Sequence, residues 1–140
     1  MHGDHMLGLL KLLTERSKLT TDPITLIAPA FIEVILKYYK NITSDIYYNL
    51  VPCTEPFNLA HTKVTSIPVE HCFDAYGYIV EHDSGWKLVF SGDTMPCQEL
   101  IDQGKDCTIL VHEATLADEL EEDAGEKNHT TISQAIDISH

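Results

Sequence analysis

Basic residues are scarce in this chain. Nine Lys and Arg stand against 22 Asp and Glu among 140 residues, which gives a formal net charge of −13 with the histidines neutral. A surface of that sign repels phosphate backbones, so composition alone argues against nucleic-acid binding. The same acidity is compatible with a site for cations. Charge does not separate these two classes of protein, and the motifs have to do so.

Cysteine pairs with metal-binding spacing are also lacking. None of the four cysteines stands in a C-x-x-C pair, which argues against a cysteine zinc knuckle. Polar residues occupy positions 2–5, so no secretory signal is recognised and reduced thiols in an intracellular compartment are expected. No apolar run has the length of a membrane span, and no membrane contact is expected. The length of 140 residues predicts one domain over 1–140.

Hydrophobic spacing predicts a mixed α/β fold, in which helices and strands alternate in the first third and strands dominate the middle. Asp83-Ser84-Gly85 separates two strand-like segments and predicts a hairpin. The acidic residues 118–123 read as a solvated loop or helix face, and Thr131 to Gln134 resembles a capping box that opens a last helix. Helices are predicted over 6–19, 31–39 and 97–103, and strands over 24–28, 46–51, 63–69, 76–81, 86–90 and 108–111.

Three short motifs contain side chains that suit catalytic zinc. His2-Gly3-Asp4-His5 precedes an apolar helix and places two imidazoles and a carboxylate around one point. Asp93 follows a predicted strand on a glycine turn, where a carboxylate can bridge two metals, and His71 ends another strand-like segment. Each motif alone has an ordinary alternative, namely a polar N-terminus, a plain turn and a structural histidine.

A fourth motif contains candidate proton-transfer groups. His112-Glu113-Ala114-Thr115 follows an apolar strand, and His129-Thr130-Thr131 begins fourteen residues beyond Thr115. A glutamate can orient a histidine that protonates a leaving group. We therefore predict that the Glu113 carboxylate lies within about 2.6–3.2 Å of a nitrogen of His129.

In this order the motifs resemble those of the metallo-β-lactamase superfamily, and within it long-form tRNase Z. His2, Asp4 and His5 match the end of the H-x-H-x-D-H motif, His71 the isolated histidine and Asp93 the bridging aspartate. Glu113 matches the H-E-A-T motif, and His129 matches the H-S-T motif, written here with Thr130. Only 21 residues separate His71 from Asp93, which resembles the long form, whose RNA-gripping arm lies in its N-terminal half. The acidic charge then does not contradict an RNA substrate.

The resemblance implies a partial αββα sandwich with an exposed apolar sheet face, and a site for two Zn²⁺. One zinc would keep His2, His71 and Asp93, and the other would keep Asp4, His5 and Asp93. The family's first histidine would stand before Met1 and its last after His140, so a fragment truncated at both ends is expected. His140 lacks the flanking residues of that last motif and is not predicted to be a ligand.

The implied activity is endonucleolytic removal of the 3′ trailer from precursor tRNA, by a water that two zinc ions activate. Asp4 would also help position that water, and His129, steadied by Glu113, would protonate the leaving oxygen. The isolated fragment is expected to be inactive and to pair with the missing N-terminal half, in the nucleus or the mitochondrion. Two alternatives remain open: a hydrolase of small esters or thioesters, and a non-catalytic remnant that pairs with another half-domain.

Overall fold

The computed structural model describes residues 3–43 and 45–139. The chain divides into two compact units between Cys53 and Thr54. Each unit has its own secondary structure, and each is described by itself. The single partial domain over residues 1–140 stays a prediction.

The first unit is a β–α–β arrangement preceded by a helix. Helix α1 (Leu7–Ser17) precedes strand β1 (Ile24–Ala28), helix α2 (Ile32–Ile42) and strand β2 (Tyr48–Pro52). The two strands are parallel, and α2 supplies the crossover that parallel neighbours need. The buried members of its core are Leu13, Ile32 and Leu36 from the helices and Ile46 from the segment before β2.

In the described part of the second unit, five strands form one sheet in the order β3-β4-β5-β6-β7. Neighbouring strands are antiparallel from β3 to β6, whereas β6 and β7 are parallel and are connected through α3. Two further helices, α4 and α5, follow the sheet. The bounds are β3 Phe57–Leu59, β4 Thr62–Pro68, β5 Tyr76–His82, β6 Lys87–Phe90, β7 Ile109–Val111, α3 Gln98–Gly104, α4 Glu121–Lys127 and α5 Ile132–Ile138.

One face of this sheet packs against α3. Its buried core contains Ile67, Ile79 and Val89 from the strands and Cys97 and Leu100 from the start of α3 and the helix itself. Because side chains alternate along a strand, the residues next to Val89 point to the opposite face.

That opposite face carries exposed apolar side chains on β6 and β7. Phe90 pairs with Val111, and Ile109 lies two residues before Val111, so the three share a face. Their exposures are 47% for Phe90, 51% for Ile109 and 44% for Val111. The apolar sheet face that the sequence predicts is therefore present at these two strands.

The mixed α/β class is confirmed, and so is the hairpin formed by β5 and β6. Strand β3 was not predicted, because three residues are too short for an alternating pattern to be recognised. The acidic residues 118–123 form a 3-10 turn (Asp118–Leu120) and the start of α4, with their side chains exposed. Among the described residues, no helix is long and apolar enough to cross a membrane.

Candidate active site

Three strands of the second unit deliver the candidate residues to one edge of its sheet. Strands β4, β6 and β7 run in the same direction, since β5 is antiparallel to both β4 and β6 and β7 is parallel to β6. His71 follows β4, Asp93 follows β6 and Glu113 follows β7. The carboxyl ends of strands that run in one direction meet at one edge, so the topology brings three distant parts of the sequence together.

The turn after β6 requires glycine. Gly92 has a φ of +63°, and a Cβ at this position would lie 2.9 Å from the Tyr76 carbonyl oxygen. Buried Ser91 fastens the same turn, because its hydroxyl donates to the Gly92 carbonyl at 2.6 Å and accepts the Glu113 N–H at 3.0 Å. The chain direction that presents Asp93 at the sheet edge is therefore fixed locally.

His71 faces Asp93 with one ring nitrogen and Asn128 with the other. Its side chain is 5% exposed, and Nδ1 lies 2.8 Å from the Asn128 carbonyl oxygen. A carbonyl only accepts, so Nδ1 is the donor in this contact and Nε2 is the nitrogen that faces Asp93. That Nε2 lies 3.9 Å from Oδ2 of Asp93.

His129 completes a group of three ligand-type side chains. Its ring centroid lies 4.7 Å from that of His71. One ligand atom from each of His71, Asp93 and His129 lies within 4.8 Å of the others. Zinc–nitrogen and zinc–oxygen bonds of about 2.0–2.2 Å place two ligands of one ion about 3–4.4 Å apart, depending on the bond angle. The separation of His71 and Asp93 therefore fits a divalent ion such as zinc, and His129 lies close enough to be considered with them.

The carboxylate of Glu113 contacts Nδ1 of His129. Nδ1 of His129 lies 2.9 Å from one oxygen and 3.2 Å from the other, so the predicted contact is confirmed. The backbone N–H groups of Thr94 and Thr130 also donate to this carboxylate. Burial by itself would raise the pKa of Glu113, but hydrogen bonds from His129, Thr115, Thr130 and Thr94 together hold that pKa below its usual value. Glu113 is therefore an anion that orients the imidazole of His129 through Nδ1.

Sequence reasoning missed two residues whose hydrogen bonds connect these loops. Thr94 and Thr130 are both buried. Thr131 is also buried, but it forms the capping box of α5 with Gln134, which the sequence predicts. The Thr130 hydroxyl donates to the Thr94 carbonyl at 2.6 Å. The only sign of Thr94 and Thr130 in the sequence is that each lies inside a motif. Their contacts with each other could not be predicted, because they join parts of the chain that are far apart in sequence.

Two of the remaining predicted ligands, Asp4 and His5, belong to the first unit. His2 and His140 fall outside the described residues. Asp4 and His5 lie in the first unit on the 3-10 turn Gly3–His5, where His5 Nε2 is 3.6 Å from Asp4 Oδ2. Their convergence with His71 and Asp93, and their metal-binding roles, stay predictions.

The comparisons define the class of this protein. A family described as "Beta-lactamase superfamily domain" matches residues 1–140, and the chain therefore belongs to the β-lactamase superfamily. Within it, the chain matches long-form tRNase Z proteins. It is 37% identical over 165 residues to "Zinc phosphodiesterase ELAC protein 2" of Rattus norvegicus, a match that covers 99% of this chain and 20% of the relative.

Two other relatives agree with this assignment. The chain is 42% identical over 155 residues to "Ribonuclease Z, mitochondrial" of Drosophila melanogaster, covering 97% of this chain and 20% of that protein. It is 46% identical over 113 residues to "tRNase Z TRZ3, mitochondrial" of Arabidopsis thaliana, covering 74% of this chain and 11% of that protein. The chain thus spans about a fifth or less of the length of these relatives.

Solved structures share the fold. The human short-form tRNase Z superposes with a TM-score of 0.87 at 21% identity, covering 99% of this chain and 64% of that one. A long-form RNase Z from yeast gives a TM-score of 0.85 at 22% identity, covering 99% of this chain and 26% of that one. These likenesses confirm the partial metallo-β-lactamase fold that was predicted.

Proposed function

We propose that this chain carries part of the active site of a zinc-dependent endoribonuclease that removes the 3′ trailer from precursor tRNA. The observation that carries the proposal is the Glu113–His129 pair beside the His71–Asp93 pair. A metal-binding pair and an anion-steadied imidazole together suit hydrolysis of a phosphodiester. Relatives at 34–46% identity bear the names zinc phosphodiesterase, ribonuclease Z and tRNase Z.

Metal binding is proposed for His71 and Asp93, together with His2, Asp4 and His5. Zinc, when bound, lowers the pKa of a water so that a hydroxide nucleophile exists near neutral pH. The hydrogen bond from His71 Nδ1 to Asn128 turns Nε2 toward Asp93 and fixes the tautomer that binds a metal. The side chain of Asp93 is 23% exposed and that of His71 is 5% exposed, so Asp93 is the one of the two that a substrate phosphate can approach more easily.

Proton delivery is proposed for His129. In this role the ring acts as an imidazolium whose Nδ1 is engaged by Glu113, which leaves Nε2 for the substrate. As the bond between phosphorus and the leaving oxygen breaks, this imidazolium donates its Nε2 proton to that oxygen. Glu113 remains an anion throughout, because the hydrogen bonds from two backbone N–H groups stabilise its charge.

The competing role for His129 is that of a third ligand, since it lies within reach of His71 and Asp93. The test compares His129→Ala with His71→Ala. Zinc content is measured on this chain, and cleavage of precursor tRNA is measured on the chain expressed with the flanking sequence of its gene. We expect His129→Ala to keep its zinc and to lower the cleavage rate about 10²–10⁴-fold. His71→Ala should lose both. Equal loss of zinc in the two variants would make His129 a ligand and refute its role as proton donor.

Substrate and compartment follow from the same proposal. Precursor tRNA would be gripped mainly by sequence outside this chain, which reconciles the net charge of −13 with an RNA substrate. A nuclear or mitochondrial location is proposed, and two relatives that are named as mitochondrial support the second. Pairing with a complementary half-domain, the non-catalytic alternative, is favoured by the exposed apolar face of β6 and β7. Hydrolysis of a small ester without cleavage of precursor tRNA would instead support the small-ester reading.

A further inference from the structure

Thr94 contacts every loop that carries a candidate catalytic residue of the second unit. It follows Asp93 directly in the sequence and is fully buried. Its N–H donates to Glu113 Oε1 at 2.5 Å, and its carbonyl accepts the Thr130 hydroxyl at 2.6 Å. Its own hydroxyl accepts the Glu70 N–H at 3.1 Å. Three polar groups of one residue thus reach three different loops.

The hydroxyl contact acts on the loop of His71. The peptide group on the N-terminal side of Glu70 donates to the Thr94 hydroxyl, and the Glu70 carbonyl, in the peptide bond to His71, accepts the Met95 N–H at 2.9 Å. Glu70 is therefore held on both sides by the segment that continues from Asp93. The Thr94 hydroxyl also donates a hydrogen bond to the Met95 carbonyl at 2.7 Å.

The side chain is the part of this arrangement that a substitution can remove. The N–H and carbonyl contacts of Thr94 are made by the backbone and survive a change of side chain. Valine has nearly the shape of threonine but lacks the hydroxyl, so it would leave the part-buried Glu70 N–H without its acceptor. Serine retains the hydroxyl and loses only a methyl group.

We propose that Thr94 is a positioning residue whose hydroxyl sets the separation of His71 Nε2 and Asp93 Oδ2, and through it the divalent-metal affinity of this edge of the sheet. The inference rests on the proposed function in so far as these two residues bind metal. It adds a residue that touches neither metal nor substrate. Groups that orient metal ligands are worth about 10–100-fold in metal affinity, so the effect is large enough to measure.

The first measurement is Co²⁺ and Zn²⁺ affinity of the full chain, by chelator competition and by the absorption of bound Co²⁺. We expect Thr94→Val to weaken binding about tenfold or more and to change the Co²⁺ spectrum. Thr94→Ser should restore both to within about threefold of the original chain, because it keeps the acceptor. The matched control is Thr131→Val, another buried threonine, whose hydroxyl instead caps α5.

The control separates positioning from general loss of stability. All affinities are compared at a temperature at which thermal unfolding shows each variant to be folded. Weakening by Thr94→Val with rescue by Thr94→Ser and little change in Thr131→Val supports the proposal. Unchanged affinity in Thr94→Val, equal weakening in the two valine variants, or no rescue by serine would overturn it.

A second measurement needs no metal and keeps the two proposals distinguishable. The imidazole NMR signals of His71 and His129 are recorded in the metal-free chain. Thr94→Val should shift the His71 signals, whereas Thr94→Ser and Thr131→Val should leave them in place. If the chain binds no metal but the His71 signals still follow the hydroxyl, the metal proposal fails and the positioning role stands. If the His71 signals do not change in Thr94→Val, the positioning role is refuted, whether or not the chain binds metal.

Discussion

His71 and Asn128 bind each other through two hydrogen bonds. Nδ1 of His71 donates to the Asn128 carbonyl at 2.8 Å, and Nδ2 of Asn128 donates to the His71 carbonyl at 2.7 Å. Asn128 ends helix α4 in the left-handed conformation, with φ 55° and ψ 50°. Because His129 follows Asn128 directly in the sequence, this reciprocal contact also fixes the backbone position of His129.

The first prediction concerns the two roles of Asn128 in stability. Asn128→Gly loses the amide contact but tolerates the left-handed backbone, so it should cost about 1 kcal/mol in the free energy of unfolding. Asn128→Ala loses the same contact and adds the penalty of a Cβ in that conformation, about 1–2 kcal/mol more. Urea unfolding of both variants checks the order. Equal stability of the two variants would contradict a left-handed residue at position 128.

The second prediction contrasts two glycines. Gly92→Ala should destabilise the chain by at least about 1–2 kcal/mol, because alanine disfavours a φ of +63° and its Cβ would overlap the Tyr76 carbonyl. Gly125→Ala is the matched control, since it lies exposed in α4 with nothing within 4 Å of its added Cβ. It should stabilise by about 0.5–1 kcal/mol through helix propensity. Thermal denaturation measures whether each substitution raises or lowers the stability. A Gly92→Ala variant that is as stable as the original chain would refute the turn geometry.

The third prediction concerns the pH dependence of a hydrogen bond at the start of α5. The backbone N–H and the hydroxyl of Ser133 each donate to Asp118 at 2.8 Å, and these two contacts lower the pKa of Asp118. A lowered folded-state pKa means that the unfolded chain binds more protons in the acid range. The stabilisation by Asp118 is therefore complete above its unfolded pKa of about 3.9 and is lost as the pH falls through the folded value.

The measurement is the unfolding free energy of the original chain minus that of Asp118→Asn, from pH 7 down to pH 3. We expect the difference to be constant down to about pH 5 and then to shrink. Glu119→Gln removes one charge from the neighbouring position and controls for the change in net charge. A difference that grows toward acid pH would have the wrong sign for this contact.

The fourth prediction concerns the exposed apolar face of β6 and β7. The chain should bind an apolar fluorescent dye and self-associate in sedimentation, because Phe90, Ile109 and Val111 present adjacent apolar area to water. The pair of substitutions Ile109→Thr and Val111→Thr keeps β-branched residues in the strand and should reduce both signals. Leu59→Thr, on β3, is the matched control and should change neither. A monomer without dye binding would refute an interaction face here.

Local patterns predicted most of the elements because their physical causes are local. Residues 24–28 were predicted as a strand and form β1 with the same bounds, since an apolar run between prolines has few alternatives. The capping box of Thr131 and Gln134 was found because both partners lie within one helical turn. Strand β3 was not predicted, because it forms by pairing with β4 and its three residues carry no pattern that indicates this pairing.

For the candidate site, the sequence by itself determined which residue types are present and in what order, and motif order was enough to predict the Glu113–His129 contact. Only the tertiary structure decided what supports them. The parallel direction of β4, β6 and β7 brings His71, Asp93 and Glu113 to one edge. The contact of His71 with Asn128 joins residues 57 positions apart, and such contacts depend on the packing of whole strands and helices, which no local pattern encodes.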